Sequence, residues 1–350
     1  MQRKVTLFAF PLHLKIPNGY WDQLYDGIAK ARSEIVLKHN DFLGLVWAWH
    51  SINVVHIHWP SILYASRWRF VSLFKLALRV GIVILAKMRG DRIVWTMHNI
   101  RDHEGKNVWL DVCAHWFLLR LSDAIIVHTP AGADLLKKEY KRVENVHCIP
   151  HPNYIGFHGP RFPLPDPALA AEHRLKLNDK VFLSFGSIRP YKNLELIINV
   201  FNRLPDDYTL IVAGKSFYPS YLAALRARTR KNNVRFVPRT ISNEDTPRYF
   251  SLARASLFAF REVLTSGSVI LSQSYGVPVI APRRGDMPYV IKEGVNGYLY
   301  QDEEVLKARV ERFAHMDEVT LKKFQESTLR DAESIPLESI VHATLEVYGI

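Results

Sequence analysis

The stretch Val181-Phe-Leu-Ser-Phe-Gly-Ser-Ile-Arg-Pro-Tyr-Lys-Asn193 decides the fold of this 350-residue chain. Its first residues are almost all apolar and predict a buried strand, which ends at Gly186. Asn193 is a favourable N-cap for the apolar, helix-periodic segment that follows it. A buried strand, a short loop and a helix in this order form the repeating unit of a parallel α/β sheet.

The same unit recurs on both sides of this stretch. Strands are predicted at Val5–Phe10, Val54–His58, Ile93–His98, Ala124–His128, Val181–Phe185, Tyr208–Ala213, Val234–Val237, Ala255–Phe260 and Val277–Ala281. Helices are predicted at Trp21–Leu37, Arg67–Lys87, Trp109–Leu121, Ala131–Tyr140 and Asn193–Leu204. The strands are continuous apolar runs, which is typical of parallel sheets buried on both faces. The fold class is therefore α/β, with two Rossmann-like, doubly wound parallel-sheet domains that we expect to face a cleft.

One segment interrupts this pattern and divides the chain. Residues 153–167 are rich in glycine and proline and show no periodicity, which indicates an interdomain connection. We predict an N-terminal domain over residues 1–155, a linker over 156–175 and a C-terminal domain over 176–335. Residues 336–350 are predicted to form a C-terminal helix that packs back on the N-terminal domain.

Composition and charge limit the classes of function. Hydrophobic residues make up 48% of the chain and charged residues 23%, which excludes a disordered or fibrous protein. The net charge of +12 indicates an anionic partner, either a nucleic acid, a phosphorylated small molecule or an acidic membrane surface. Against a nucleic acid, the aromatic residues are not interleaved with the basic ones, and no helix-turn-helix or RNA-binding motif is present. The two cysteines, Cys113 and Cys148, exclude a disulfide framework and favour a reducing compartment.

Two loops of the second half have the residues of an anion-binding site. Arg189 and Lys192 stand between the end of a strand and the start of a helix, where the helix dipole favours negative charge. The segment Arg261-Glu262-Val-Leu-Thr265-Ser266-Gly267-Ser268 directly follows another strand and opens an apolar helix. Two such helix starts in one domain favour a nucleotide diphosphate as the ligand.

These motifs resemble the donor domain of GT-B glycosyltransferases related to glycosyltransferase family 4. The matching segments are Gly186-Ser-Ile-Arg-Pro-Tyr-Lys-Asn193, Val212-Ala-Gly-Lys215, Tyr275-Gly-Val-Pro-Val-Ile-Ala281 and Gly294-Val-Asn-Gly-Tyr-Leu299. The resemblance implies that Arg189 and Lys192 hold the diphosphate of a sugar nucleotide. It implies a donor site formed by Gly186, Ser187, Arg189, Lys192, Lys215, Arg261, Glu262, Thr265, Ser266, Gly267 and Ser268.

One departure concerns the stereochemistry of transfer. Many retaining members of the group carry a second glutamate, eight residues after the first and five residues before the glycine of the Gly-Val-Pro segment. Counting forward from Glu262 gives Ile270, and counting back from Gly276 gives Leu271, so this glutamate is missing. The segment Thr265-Ser-Gly-Ser268 is instead similar to that of inverting bacterial exopolysaccharide β-mannosyltransferases of the xanthan type. That resemblance implies transfer of mannose from GDP-mannose, with inversion and without a metal or other cofactor, to a polyprenyl-diphosphate-linked oligosaccharide. A retaining family-4-like enzyme with another sugar nucleotide is the alternative, and a basic nucleic-acid-binding protein is the alternative from another class.

The first half resembles the acceptor domain of the same group. The segments that carry this resemblance are Val55-His-Ile-His-Trp-Pro60, Trp95-Thr-Met-His-Asn-Ile100 and Asp102-His-Glu104. An inverting transfer needs a general base for the acceptor hydroxyl, and the candidates are Glu104, Asp22 and His98. Further acceptor-binding residues are expected at Asn18, Gly19, Tyr20, His58 and Asn99. His56 and His58 share a strand face, but the sequence offers no further ligands at a spacing suited to zinc, so no metal site is predicted.

A basic, aromatic segment in the first half suggests contact with a membrane. The run from Arg67 to Arg89 holds no acidic residue. Its candidate membrane-binding residues are Arg67, Trp68, Arg69, Phe70, Phe74, Lys75 and Arg79. We expect this segment to hold the protein peripherally at the cytoplasmic face of the cell membrane. The alternative is a core helix whose basic side chains are solvated.

Overall fold

The computed structural model describes residues 5–10, 19–49, 52–99, 108–176 and 179–350. Asn18 and Glu104, which the sequence proposes as acceptor-binding and catalytic residues, lie outside these ranges. The chain forms two compact units. The first comprises Met1–Pro152 together with Leu337–Ile350, and the second comprises Asn153–Pro336.

Strands and helices alternate through the described residues. The strands are β1 (Val5–Phe10), β2 (Val36–His39), β3 (Ile52–Ile57), β4 (Arg92–Thr96), β5 (Ala124–Val127), β6 (Val146–Cys148), β7 (Lys180–Phe185), β8 (Tyr208–Ala213), β9 (Val234–Val237), β10 (Ala255–Leu257), β11 (Val279–Pro282) and β12 (Gly297–Tyr300). The helices are α1 (Gly19–Ala31), α2 (Phe42–Val46), α3 (Arg69–Met88), α4 (Val108–Leu121), α5 (Pro130–Tyr140), α6 (Pro167–Glu172), α7 (Leu194–Arg203), α8 (Pro219–Arg228), α9 (Thr246–Ser251), α10 (Gly267–Ser274), α11 (Met287–Val290), α12 (Glu303–His315), α13 (Glu318–Glu333) and α14 (Leu337–Tyr348).

Each unit is built on one six-stranded parallel sheet, which confirms the α/β fold class. The strand order is β2-β1-β3-β4-β5-β6 in the first unit and β12-β11-β10-β7-β8-β9 in the second. Counted from its own first strand, the second sheet has the order 3-2-1-4-5-6 of a dinucleotide-binding fold. The order reverses between β7 and β10, and ligands of such sheets bind beyond the carboxyl ends of the strands at this point.

The inner strands of both sheets were predicted, whereas three outer strands were not. The helix predicted to extend to Leu37 ends at Ala31, and β2 follows it as an edge strand that is only partly buried. The strand β6 is also an edge strand and has three residues, with a partly buried pattern. The strand β12 closes the second sheet after a turn at Gly294. Short edge strands lack the long apolar run that identifies an inner strand.

The segment predicted as a linker belongs to the second unit. It contains α6, whose Leu169 is buried in a hydrophobic cluster with Tyr154. The backbone amide of Tyr154 donates to Oγ of Ser274 at 2.8 Å, which attaches the start of the unit to α10. One proline of this segment, Pro167, occupies the first position of α6, where its missing N–H leaves no helix hydrogen bond unmade.

The C-terminal helix α14 is part of the first unit and packs on α1. A Cβ atom placed on Gly27 of α1 would lie 2.6 Å from a methyl group of Val341, so the two helices approach closely at this glycine. The hydroxyl of Tyr348, at the end of α14, lies 2.6 Å from Nδ1 of the buried His56. Among the helices in the described part of the chain, none is long and apolar enough to cross a membrane.

Candidate functional site

Three predicted donor-site residues meet where the second sheet reverses its strand order. Gly186 follows β7 and has a φ of 102°, a conformation that favours glycine. A Cβ atom at Gly186 would lie 2.7 Å from Nζ of Lys192 and 2.7 Å from Oγ of Ser268. The glycine therefore gives the loop room for an ammonium group and a hydroxyl from two different loops. The sequence predicted an anion-binding loop in each of two separate motifs, and the structure brings residues of both motifs together.

Lys192 is a buried cation at the centre of this cluster. Its residue is 5% exposed, and its Nζ donates to the carbonyl oxygen of Phe185 at 3.2 Å. Burial, and next the nearby charge of Arg189, lower the pKa of Lys192 to about 7. An ammonium group in this position is poorly compensated by one neutral carbonyl, so an anionic ligand would stabilise its charged form.

Two further cations, one on the loop after β7 and one on the loop after β8, lie close to the same aromatic ring. The guanidinium of Arg189 lies 4.4 Å from the ring centroid of Phe217, and Nζ of Lys215 lies 5.1 Å from it. The two loops are joined because the amide of Ile188 donates to the carbonyl of Lys215 at 2.9 Å. Sequence reasoning missed Phe217, although its position two residues after Lys215 in the same loop was available.

The loop after β10 brings further polar residues to the same edge of the sheet. Arg261 is exposed and pairs with Glu195 at 3.4 Å, while Glu262 is exposed. The hydroxyl of Thr265 donates to the carboxylate of the buried Asp286. These contacts fix the loop that leads into α10, whose N-cap is Ser266. Glu195 and Asp286 had no motif of their own in the sequence and become visible only through these contacts.

The two remaining predicted donor residues are part of these loops. Ser187 is half-buried directly after Gly186, and Gly267 is the first residue of α10. A cavity of about 490 Å³ in the same unit lies elsewhere, at the amino ends of β7 and β10. Because the carboxyl ends of the strands carry the ligand site in such sheets, we place the functional site at the glycine-rich edge and not in this cavity.

Four histidines follow four neighbouring strands of the first sheet. His58 follows β3, His98 follows β4, His128 follows β5 and His151 follows β6. The carboxyl ends of parallel strands lie at one edge of the sheet, so these side chains converge. The ring of Tyr20 packs against all four, with centroid distances of 5.6, 4.7, 5.3 and 4.8 Å in chain order. His128 and His151 were not predicted, although each stands within three residues of a strand end.

Three of these histidines and Tyr25 form a hydrogen-bonded chain, here called the histidine relay. A carbonyl oxygen only accepts, so Nδ1 of His128 donates to the carbonyl of Ile149 at 3.0 Å. Nε2 of the neutral His128 then accepts from Nδ1 of His98 at 3.2 Å. By the same reasoning, Nδ1 of His58 donates to Nε2 of His98 at 3.1 Å. Nε2 of His58 in turn accepts from the hydroxyl of Tyr25 at 2.6 Å. The carbonyl at one end therefore fixes the tautomer of each histidine in the relay.

His56 lies beside the relay and connects it to α14. Its Nδ1 lies 2.9 Å from the hydroxyl of Tyr25 and 2.6 Å from that of Tyr348. Its Nε2 lies 2.8 Å from Oγ1 of Thr96. Neither Tyr25 nor Tyr348 was predicted, because no sequence pattern relates a C-terminal tyrosine to a histidine 292 positions away.

Burial keeps the histidines of this cluster neutral. It is the largest cause that lowers the pKa of His56 to about 3, of His128 to about 4 and of His151 to about 3. Burial and the neighbouring imidazoles hold the pKa of His58 and His98 well below the ordinary value. At neutral pH these side chains are hydrogen-bonding groups and not cations.

The other predicted acceptor residues have different surroundings. Gly19 is the first residue of α1, and Asn99 is half-buried directly after His98. Asp22 is in the first turn of α1, and its negative charge acts on His39 at the end of β2. The structure therefore brings Tyr20, His58 and His98 together in one cluster and places Asp22 against His39.

The segment predicted to bind a membrane forms α3 and the residues just before it. Arg67, Trp68, Arg69, Phe70 and Phe74 are exposed. Lys75 and Arg79 are half-buried instead, and both bond to backbone carbonyls. Nζ of Lys75 donates to the carbonyl of Ala65 at 3.3 Å. The guanidinium of Arg79 donates to the carbonyl of Ile62 and lies 4.8 Å from the ring centroid of Phe42.

Within the residues that the structure describes, no group of three or more His, Cys, Asp or Glu side chains is arranged to hold a metal ion. His98 is hydrogen-bonded to both His58 and His128 in the histidine relay. Metal-independent transfer stays a prediction of the sequence.

Comparisons with known proteins identify related sequences and a similar fold. A family model described as glycosyl transferases group 1 matches residues 166–328. The GDP-mannose:glycolipid 4-beta-D-mannosyltransferase of Xanthomonas campestris pv. campestris is 22% identical over 275 residues, which cover 76% of this chain and 70% of that protein. The D-inositol 3-phosphate glycosyltransferase of Streptomyces avermitilis is 26% identical over 247 residues, which cover 66% of this chain and 52% of that protein.

Among solved structures, Anabaena HepE in complex with UDP and glucose has a similar fold. The TM-score is 0.75 at 14% identity, and the match covers 97% of this chain and 98% of that one. The likeness extends over both units and concerns the fold.

Proposed function

Residues 166–328 are a glycosyltransferase group 1 domain within a chain of GT-B fold, and from this premise we propose that the protein transfers a hexose from a nucleoside diphosphate sugar to a glycolipid. The favoured reaction is transfer of mannose from GDP-mannose, with inversion, to a polyprenyl-diphosphate-linked oligosaccharide in exopolysaccharide assembly. The cytoplasmic face of the cell membrane, where such an acceptor is exposed to sugar nucleotides, is the proposed location.

The convergence of Lys192 and Ser268 over Gly186 carries this proposal. A buried ammonium with a depressed pKa and a hydroxyl from the start of α10 lie at the reversal point of a sheet with dinucleotide-binding strand order. Such a position suits a diphosphate, because the ligand restores the charge of the lysine and meets the positive end of a helix. Arg189 and Lys215, both close to the ring of Phe217, supply further positive charge at the same edge.

The proposed step is a displacement at the anomeric carbon of the donor sugar. The acceptor oxygen forms a bond to this carbon, and the bond from the carbon to the diphosphate oxygen breaks. The electron pair of that bond leaves with the nucleoside diphosphate, and the acceptor proton passes to a general base. Lys192 and Arg189 stabilise the charge that grows on the leaving diphosphate, which is why they affect turnover as well as binding.

A carboxylate is the proposed general base. In the histidine relay, Nε2 of His98 already accepts a hydrogen bond from His58, and its Nδ1 is a donor. His98 therefore has no free lone pair for a proton, so we assign the removal of the proton to Glu104, with Asp22 as the alternative. We assign to His98 and Tyr20 the positioning of the acceptor through the packing of their rings. Substitution of Glu104 by Gln should abolish transfer while donor binding persists, and full activity of this variant would remove Glu104 from the mechanism.

One relative supports GDP-mannose as the donor, whereas a structural neighbour contains a different nucleotide. The Xanthomonas relative is named for GDP-mannose as its donor, whereas the Anabaena structure contains UDP. Thermal-shift measurements with GDP, UDP and ADP test this choice. A shift with GDP alone supports a guanosine donor, and a shift with UDP or ADP alone indicates another sugar nucleotide.

Inversion is supported by the surroundings of α10. The residues at the expected place of a second glutamate, Ile270 and Leu271, contribute to a hydrophobic cluster with Tyr275 and so provide no carboxylate. Incubation with GDP-mannose and an extracted glycolipid acceptor, followed by NMR of the product, reports the anomeric configuration. A β-linked mannose is expected, since the donor sugar has the α configuration; an α-linked product would establish retention.

A further inference from the structure

The helices α2, α3 and α4 of the first unit expose large apolar side chains to solvent. Phe70 is 88% exposed, Met88 80% and Trp47 77%. We call this surface the apolar face and define it by Trp47, Phe70, Phe74, Met88, Trp109 and Trp116, all of which are exposed. The three helices are neighbours, because α3 packs against both α2 and α4. Large apolar side chains exposed on three neighbouring helices indicate a site of interaction, because their contact with water is unfavourable.

The tryptophans point to the kind of partner. Five of the eight tryptophans of the protein are exposed, and all five lie between residues 47 and 116. A tryptophan ring has an apolar body and one polar N–H, and this combination is enriched at the boundary between lipid chains and water. Such residues are costly on a surface that faces only water.

The charges of the same helices are positive. The helices α2 and α3 contain no acidic residue, and the acidic residue of α4, Asp111, is buried and accepts from the hydroxyl of Tyr64 at 3.1 Å. Arg67 and Arg69 are exposed at the start of α3, and the guanidinium of Arg120 lies 3.9 Å from the ring centroid of Trp116. Basic residues around an apolar surface complement anionic lipid headgroups.

We propose that the apolar face attaches the protein to the surface of an anionic lipid bilayer. The 20 residues of α3 make a helix about 30 Å long, which would lie in the plane of the interface with Phe70, Phe74 and Met88 inserted. A bilayer fits better than a second copy of the chain, because a symmetric pairing would bring the arginines of both copies together without acidic partners. This proposal does not depend on the donor or the acceptor proposed above.

The residues that the structure assigns to this attachment differ from those that the sequence suggested. Lys75 and Arg79, which the sequence suggested as lipid-facing charges, are bound to backbone carbonyls of their own unit. Inserted aromatic and aliphatic side chains therefore supply most of the affinity, and Arg67 and Arg69 supply the preference for anionic lipid. Binding should in consequence resist high salt better than a purely electrostatic attachment does.

Flotation of the full chain with phosphatidylcholine vesicles, with and without about 30% phosphatidylglycerol, tests the proposal. We expect strong flotation with the anionic vesicles, weaker flotation with the neutral ones, and partial release in 0.5 M NaCl. The double variant Phe70→Ser/Phe74→Ser should lower the partition coefficient by roughly tenfold or more, because two exposed rings no longer insert. Arg67→Glu/Arg69→Glu should remove the difference between the two vesicle types.

A matched control uses exposed apolar residues of the second unit. Leu164→Ser/Val319→Ser also removes two apolar side chains from the surface, since these residues are 73% and 65% exposed, and should leave flotation unchanged. Donor binding measured without vesicles should be equal in all variants, which separates this proposal from the proposed function. Equal flotation of Phe70→Ser/Phe74→Ser and the unaltered protein would overturn the proposal. So would an absence of vesicle binding together with concentration-dependent dimers that this variant abolishes, since the face would then be a protein interface.

Discussion

Lys192 places an ammonium group inside the second unit, 3.2 Å from the carbonyl oxygen of Phe185. Burial lowers its pKa to about 7, so that without a ligand a large share of the molecules hold a neutral amine above neutral pH. A diphosphate beside it would favour the charged form and raise this pKa. Binding of the donor is therefore linked to the uptake of a proton.

We expect the affinity for GDP to fall as the pH rises from 7 to 9, because each molecule with a neutral Lys192 must gain a proton to bind. Calorimetry in two buffers of different ionisation enthalpy measures the number of protons taken up. Lys192→Met should bind more weakly and lose this uptake. Lys215→Met, which removes an exposed lysine of the neighbouring loop, should retain it. An equal uptake in Lys192→Met and the unaltered protein would contradict the assignment.

The buried histidines of the first unit make a second prediction at this scale. Their pKa values in the folded protein lie below the value of about 6.5 expected in the unfolded chain. Below pH 6.5 the unfolded chain binds more protons than the folded one, so stability is lost as the pH falls. The loss should be about 1.4 kcal/mol for each such histidine and pH unit.

Urea unfolding at pH 7.5 and 5.5 measures this dependence. The unaltered protein should lose several kcal/mol of unfolding free energy between the two, and His128→Asn should lose about 1 kcal/mol less. Leu164→Ser is the control, since it removes an exposed side chain that carries no titratable group and should leave the dependence as it was. A stability that does not change with pH would mean that these histidines are not held neutral.

At the scale of elements, the packing of α14 on α1 completes the first unit. Gly27 allows this contact, because a Cβ atom there would lie 2.6 Å from a methyl group of Val341. Tyr348 of the same helix reaches His56 next to the histidine relay. The end of the chain thus contributes to the polar cluster at the carboxyl edge of the first sheet.

Replacement of Gly27 by Val should destabilise the first unit by about 1–3 kcal/mol, because the added methyl groups force α1 and α14 apart. Gly81→Ala in α3 is the matched control: a Cβ atom there meets no atom within 4 Å, and alanine favours a helix more than glycine does. It should raise stability by about 0.5–1 kcal/mol. Thermal unfolding followed by circular dichroism compares the two, and a Gly27→Val protein as stable as the unaltered one would contradict the close packing.

How far the sequence predicts the elements depends on their position in the sheets. The inner strands were predictable, and β1 and β8 have the predicted bounds, because a buried strand between two helical layers must be continuously apolar. The edge strands β2 and β6 were not predicted, because one side of each strand is exposed and the strand does not have to be continuously apolar.

The sites were predictable to a similar extent. Gly186 and Lys192 belong to one motif, and the helix start that holds Ser268 is another, so both were visible as local patterns. A Cβ atom placed on Gly186 would lie within 3 Å of both Lys192 and Ser268. This proximity depends on the tertiary fold, which local sequence patterns do not reveal. The same holds for Tyr348, which reaches His56 only because the chain returns to its first unit after completing the second.

In the whole molecule, the two units present different functional groups at the corresponding edges of their sheets. Each sheet presents its polar residues at the carboxyl ends of its strands, with cations in the second unit and neutral imidazoles in the first. This division fits a charged diphosphate donor and an uncharged hydroxyl acceptor. The net charge of +12 agrees with the anionic ligands and the anionic surface proposed above.

The central claim is that this protein releases a nucleoside diphosphate from a sugar nucleotide with the diphosphate held by Lys192. The most direct test is kcat/KM for GDP release from GDP-mannose with a glycolipid acceptor, in the unaltered protein, in Lys192→Ala and in Lys322→Ala, which removes an exposed lysine of α13. We predict a loss in Lys192→Ala that corresponds to roughly 2–4 kcal/mol of transition-state stabilisation, and no loss in Lys322→Ala. Equal kcat/KM in all three, with the fold intact, would contradict the account.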